Sequence, residues 1–281
     1  MPYIKVNPGT PKEIKIHYQD FGEGKPVIFI SGWPSSHQMW EAQTNSLPKN
    51  NIRCIAYDRR GFGKSDKPFG PYDYDTLVGD LAALIRQLNL TDVTLVGFSM
   101  GGGEVAKYLA TRNQDQRVTK AILISTVLPF LLKTDDNPNG LPQEMFDEME
   151  QQITKDRPKF LANFAKDFYG VSLLSNPVSE EFLNWHQMLT LNSTGNATIK
   201  TMKAWSSTDF RNDVKRINVP ILIIHGTDDK TVPIDVSSNL TADLIPNAKY
   251  IKYDGAPHGL FQTEQEKLNN DIFWFVSEHQ F

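Results

Sequence analysis

Short runs of branched and aromatic residues alternate along this chain with longer stretches whose apolar positions recur every three or four residues. Residues 13–20 alternate, with Ile14, Ile16 and Tyr18 on one face, which predicts an antiparallel edge pair with residues 3–6. Residues 26–30 form an unbroken apolar run, as expected of a strand covered on both faces, and runs at 52–58, 92–96, 118–126, 219–225 and 249–253 read the same way. Between them, helical spacing is visible at 37–47, 74–90 (Leu77, Leu81, Leu84, Ile85, Leu88), 104–110, 237–244 and from Glu264 onward. This alternation predicts an α/β fold: a mostly parallel central sheet flanked by helices.

The rhythm breaks at Val127. No strand-like run appears from there to about Ser207; helical stretches at 142–153, 158–169, 179–191 and 197–205 carry Phe160, Phe164, Phe168, Trp185, Met188 and Trp205. The expectation is a helical cap, residues 127–207, inserted in a core made of residues 1–126 and 208–281, its apolar residues partly roofing a pocket. A plain helical layer with no ligand is the alternative.

Composition narrows the class. With 281 residues, 40% hydrophobic and 22% charged, the chain suits a soluble globular protein, and a net charge of -4 gives no footprint for nucleic acid and no polybasic membrane surface. Met1-Pro2-Tyr3-Ile4-Lys5 does not read as a signal peptide, and no apolar run approaches the ~20 residues of a membrane span. Cys54 is the sole cysteine, so no internal disulfide forms; it reads as core filler, and a cytoplasmic location is expected.

The chemistry centres on Gly97-Phe98-Ser99-Met100-Gly101, which follows one buried run and opens a helix. A strand-to-helix turn of this kind is so tight that side chains two before and two after the serine would collide, hence the glycines. Ser99 is thereby lifted out at the carboxyl end of the strand, and the Met100 amide, at a helix start with no intrahelical acceptor, is a candidate oxyanion donor. A serine hydroxyl needs a base, and the base needs a carboxylate, each expected at the end of a later strand in the order Ser, acid, His. The run at 249–253 leads into Asp254-Gly255-Ala256-Pro257-His258-Gly259, which makes His258 the base. Of the other histidines, His225 caps a strand, His17 lies on the amino-terminal strand, His37 and His186 fall in helical stretches and His279 in the tail. The run at 219–225 ends in Asp228-Asp229; a turn sends neighbours in different directions, so only one reaches His258, and spacing alone leaves the choice open. Asp254 reads as a stabiliser of its own turn.

Several of these segments resemble one family. Gly97–Ala106 with its triple glycine, Gly32-Trp33-Pro34, Asp58-Arg59-Arg60-Gly61-Phe62-Gly63, Thr208-Asp209-Phe210, His225-Gly226-Thr227-Asp228-Asp229 and Ala256-Pro257-His258-Gly259 are similar to the α/β-hydrolases called cofactor-free (non-haem) haloperoxidases, with their aryl esterase and perhydrolase relatives. The resemblance spans nearly the whole chain. It implies an α/β-hydrolase fold, and it selects Asp229 as the acid, because Asp229-Lys230-Thr231-Val232-Pro233 fits the family's Asp-x-x-Val-Pro pattern and Asp228 does not. It places the second oxyanion amide on Trp33, in the first strand-to-helix loop where such a donor is expected. One departure is visible: Ser31 stands where the family usually has histidine.

The resemblance further implies an acyl-enzyme on Ser99, esterase activity with water, and perhydrolysis of a small carboxylic acid or ester with hydrogen peroxide to a peracid that oxidises halide. No metal or other cofactor is implied, and no cluster with metal-ligand spacing stands out in the sequence. Pro34 fits the haloperoxidase branch, since proline restricts the residue before it and so sets where the Trp33 carbonyl points. By resemblance and chain position, Thr126, Phe130, Phe164, Phe168, Thr231 and Ile234 are candidates to line an apolar pocket. A homo-oligomer stays open. The rival readings are a plain carboxylesterase or lactonase and, from another class, a ligand receptor on the same scaffold. Dehalogenases and epoxide hydrolases use an aspartate where this chain has Ser99.

Overall fold

The structure, a computed structural model, describes residues 2–277; Met1 and His279 therefore lie outside the described residues. Eight strands form one sheet: β1 (Tyr3–Val6), β2 (Ile14–Phe21), β3 (Lys25–Ile30), β4 (Ile52–Tyr57), β5 (Val93–Phe98), β6 (Val118–Ile124), β7 (Ile221–Gly226) and β8 (Lys249–Tyr253), in the order β1-β2-β4-β3-β5-β6-β7-β8. β2 pairs antiparallel with β1 and β4, and every pair from β4 to β8 is parallel. The predicted alternation in β2 thus belongs to the antiparallel edge. The unbroken apolar runs are the inner strands, where every residue of β5 and β7 is buried because helices cover both faces.

The helices are α1 (Glu41–Ser46), α2 (Tyr74–Gln87), α3 (Met100–Thr111), α4 (Gln143–Phe168), α5 (Glu180–Leu191), α6 (Gly195–Ser207), α7 (Arg211–Val214), α8 (Ser238–Leu244), α9 (Leu260–Thr263) and α10 (Gln265–Ser277). The helix predicted over 37–47 is shorter than its pattern. Only α1 is α-helical, between 3-10 turns at His37–Trp40 and Leu47–Asn50, the second containing Pro48, which has no amide to continue the ladder. The two helices predicted at 142–153 and 158–169 meet without a loop in α4, where Asp156 leaves the helical region and its carboxylate caps the Lys159 amide at 3.0 Å. In the same way the final helix begins as α9 and restarts as α10 across Glu264. α4, α5 and α6 follow β6 in the chain and precede β7, and α4 packs on both of the others. No helix among the described residues is long and apolar enough to cross a membrane.

One buried contact on this helical layer has a measurable consequence. His186 of α5 shares a hydrogen bond between its Nδ1 and the Tyr169 hydroxyl at 2.8 Å, and burial pushes the imidazole pKa from 6.5 down to about 4. Between those values the unfolded chain binds the proton and the folded one does not, so stability falls as pH drops through that window, by up to about 3 kcal/mol from this residue. Urea unfolding at pH 4 to 7 is expected to show a smaller loss of stability on acidification in His186→Leu than in the parent.

Candidate active site

The elbow at Ser99 is built by exclusion. Ser99 sits at φ 52°, ψ −120° between β5 and α3. A Cβ on Gly97 would lie 2.7 Å from the Gly101 carbonyl oxygen, one on Gly101 2.6 Å from the Ile30 carbonyl oxygen, and one on Gly102 2.2 Å from the Thr126 methyl. The predicted collision between positions 97 and 101 is therefore real, and β3 closes the turn from a third side. Met100 is the first residue of α3, so its amide faces outward from the helix start.

His258, in the loop after β8, is fully buried, with Nε2 3.0 Å from Ser99 Oγ and Nδ1 2.6 Å from Asp229 Oδ2. The structure sets Asp229 rather than Asp228 against this ring: the Asp228 side chain is 58% exposed and lies 3.7 Å from Lys230. Asp254 accepts the Thr227 hydroxyl at 3.3 Å, which ties the loop after β8 to the loop after β7 rather than stabilising only its own turn. Asp229 Oδ1 takes the amides of Thr231 (3.0 Å) and Val232 (2.8 Å), which is why the carboxylate has one orientation. Burial alone would raise its pKa, but His258 and His225 beside it outweigh burial and hold it well below the ordinary carboxylate range. Phe98 and Phe168 pack against the His258 ring, each with its centroid 4.8 Å away.

The loop after β3 lies directly over the serine. A Cβ on Gly32 would be 2.6 Å from the Phe98 ring and 3.2 Å from Ser99 Cβ, so Trp33 follows at the edge of the site. The Trp33 indole N–H donates to the Thr198 carbonyl of α6 at 2.9 Å, and its ring meets Phe164 and Trp205 edge-on. Beneath the loop, Arg59 donates to the Ser31 carbonyl (2.8 Å) and from Nε to Glu104 of α3 (2.7 Å); the second Glu104 oxygen accepts the Tyr57 hydroxyl. One buried guanidinium thus fastens the loop to the helix that starts at Met100. Ser31, in place of the family's usual histidine, keeps its hydroxyl buried without a hydrogen-bond partner.

Imidazoles do underlie this loop, but from elsewhere. His37 and His17 bring their Nδ1 atoms 2.7 Å and 3.2 Å from the two oxygens of buried Asp58, and their ligand atoms lie close enough to suggest a metal site. Each Asp58 oxygen, however, also accepts a backbone amide at 2.8 Å, from His37 and from Lys64. The carboxylate is thus occupied by hydrogen bonds and reads as an anchor for the loop.

Among the pocket candidates, Thr126 is buried beside Gly102 with its hydroxyl unpartnered, Phe168 lies on His258, and Phe164 packs on Trp33 and Phe168. The Trp33–Pro34 peptide is cis, Thr231 donates its amide to Asp229, and Ile234 opens the turn behind Pro233. Phe130 sits under the Arg211 guanidinium, 5.2 Å from its ring centre. Sequence reasoning missed the contacts of His225, Arg59 and Glu104. The last two were legible as charged residues inside apolar motifs, whereas nothing in the spacing pointed His225 at Asp229.

Comparison with known proteins bears on the whole arrangement. The family described as alpha/beta hydrolase fold matches residues 25–265. The chain is 41% identical to a non-heme chloroperoxidase of Streptomyces lividans, over 98% of this chain and 99% of the relative. It is 40% identical to a bifunctional esterase/perhydrolase of Acinetobacter calcoaceticus, again over 98% and 99%. The crystal structure of a bromoperoxidase from Bacillus anthracis superposes with a TM-score of 0.94 at 41% identity, covering 99% of both chains.

The Arg59–Glu104 pair gives a test of how the site is held. Removing one partner strands the other charge in the core, so Arg59→Met is expected to cost about 3–5 kcal/mol. The double variant Arg59→Met/Glu104→Met is expected to recover much of that loss in urea unfolding.

Proposed function

The chain belongs to the α/β-hydrolase family, in the branch of the non-haem haloperoxidases and their esterase and perhydrolase relatives, and from that premise we propose a serine-dependent acyl transfer at Ser99 that ends in hydrolysis or perhydrolysis. The observation that carries this reading is the unbroken line from Ser99 Oγ through His258 to Asp229, at 3.0 Å and 2.6 Å. His258 Nε2 takes the Ser99 proton as Oγ attacks the acyl carbon of a small ester or carboxylic acid. The amides of Trp33 and Met100 hold the oxyanion, and Asp229 supports the imidazolium. The intermediate collapses, His258 returns the proton to the departing alkoxide or hydroxide, and acyl-Ser99 remains. Hydrogen peroxide then gives His258 a proton as its oxygen attacks the acyl carbon; Ser99 leaves and recovers the proton, and a peracid is released. Away from the protein the peracid passes one oxygen to bromide, giving carboxylate and hypobromous acid. Water in place of peroxide gives esterase activity.

Residues 127–207 act in this reading as a cap, with Phe164, Phe168 and Trp205 forming apolar walls that favour small or aromatic acyl groups over charged ones. Pro34 belongs to the peroxide branch in this reading because it restricts the backbone of Trp33 and so sets where that carbonyl points; aimed into the site, the carbonyl accepts a hydrogen bond from peroxide. The small-molecule partners are an ester or carboxylic acid and hydrogen peroxide. The location is cytoplasmic, in keeping with a sole cysteine.

Bromination of a β-diketone reporter by hydrogen peroxide and bromide, with and without acetate, tests the proposal. The expected result is activity that requires acetate and falls at least ~10³-fold in Ser99→Ala. Ester hydrolysis without any bromination would leave a carboxylesterase or lactonase, and bromination surviving in Ser99→Ala would refute the mechanism. Pro34→Leu is expected to lower the ratio of perhydrolysis to hydrolysis, measured with peroxide and water competing for the same acyl donor.

A further inference from the structure

Asp229 faces a second imidazole. His225, the penultimate residue of β7, is fully buried, and its Nε2 lies 3.1 Å from Asp229 Oδ2, the oxygen that also meets His258. The same Nε2 is 2.9 Å from the Val232 carbonyl oxygen. A carboxylate and a carbonyl only accept, so the proton of His225 must sit on Nε2. On the other side of the ring, Nδ1 is 2.7 Å from the Ser238 hydroxyl, for which no other partner exists among the described residues. The Ser238 hydroxyl thus meets one ring nitrogen while the Val232 carbonyl and Asp229 meet the other, and the ring is held in one orientation.

Resting on the reading of Ser99, Asp229 and His258 as a triad, we propose that His225 is a positioning residue of the reaction: it locks the Asp229 carboxylate against His258 and draws off part of its negative charge. Two backbone amides meet Oδ1 and two imidazoles flank Oδ2, the single His225 N–H lying between Oδ2 at 3.1 Å and the Val232 carbonyl at 2.9 Å, so both oxygens of Asp229 are held. Lys252, opposite His225 on β8, is drawn over the Tyr250 ring, 5.2 Å from its centre, and the His258 ring nitrogens meet Asp229 and Ser99 while Phe98 and Phe168 pack against the ring. Without the His225 N–H, the charge on Oδ2 leans more heavily on the His258 Nδ1–H, the two backbone amides on Oδ1 being unchanged. The imidazolium is then held more tightly, and His258 works as a base only at higher pH.

The test is the pH dependence of ester hydrolysis with p-nitrophenyl acetate in the parent, His225→Phe, His225→Gln and Ser99→Ala. His225→Phe is expected to displace the acidic limb of kcat/KM upward by about half to one pH unit and to lower kcat roughly tenfold, with KM within about twofold. His225→Gln, whose amide N–H reaches toward the same oxygen, is expected to restore most of both. An unmoved limb in His225→Phe would overturn the inference while leaving the triad intact; hydrolysis undiminished in Ser99→Ala would instead overturn the reading on which it rests. Should His225→Phe fail to fold, NMR of the ¹⁵N-histidine-labelled parent decides. A proton on Nε2 of His225 throughout pH 5 to 9 supports the assignment, and an unprotonated Nε2 refutes it.

Discussion

The lack of free volume around Ser99 governs the rest of the molecule. A non-glycine residue at φ 52°, ψ −120° costs on the order of 1–3 kcal/mol, and it persists only where its surroundings leave no alternative. Here those surroundings are backbone: the carbonyl oxygens of Gly101 and Ile30 stand where Cβ atoms would be at positions 97 and 101, and the Thr126 methyl occupies the space beside Gly102. Strands β3, β5 and β6 must therefore keep their relative heights for the serine to protrude at all. The sheet acts as a gauge for the elbow, and its burial on both faces is what keeps that gauge stiff.

Polar anchoring follows one pattern at two places. Asp58 beneath the loop after β3, and Asp229 behind His258, are both buried carboxylates that meet two backbone amides and two histidines. For each, burial is opposed by those donors, and the net effect holds the pKa below the ordinary range. A charge placed in this way fixes irregular backbone with a precision that apolar contacts alone do not give, because each donor direction is specified. Arg59 does the same with the opposite sign, joining the loop and α3 through one planar group.

Much of this was legible in the order of residues along the chain. The antiparallel edge, the buried central strands, the elbow and the position of His258 all follow from local pattern, since periodicity and glycine placement report on backbone environment. The choice between Asp228 and Asp229 was not, because spacing cannot tell which way a turn throws a side chain; the resemblance pointed to Asp229, and the structure places it against His258. His225 was read as a strand cap because a buried histidine at a strand end carries no signature of what faces it. Likewise, the joining of two helical patterns across Asp156 depends on whether a break becomes a loop or a kink, and that is settled by what packs on the break rather than by the break itself.

Trp33 belongs to two structures at once. Its backbone lies in the loop over Ser99, and its indole is pinned to the Thr198 carbonyl of α6 while its ring rests among Phe160, Phe164 and Trp205. A bulky acyl group that pushes α6 outward therefore pulls on the residue proposed to hold the oxyanion. In the proposed reaction molecular size would then be sensed at the reacting atom as well as at the entrance: an oversized substrate that gained admission would meet a slackened anion site, and discrimination against it would be written into turnover more than into binding.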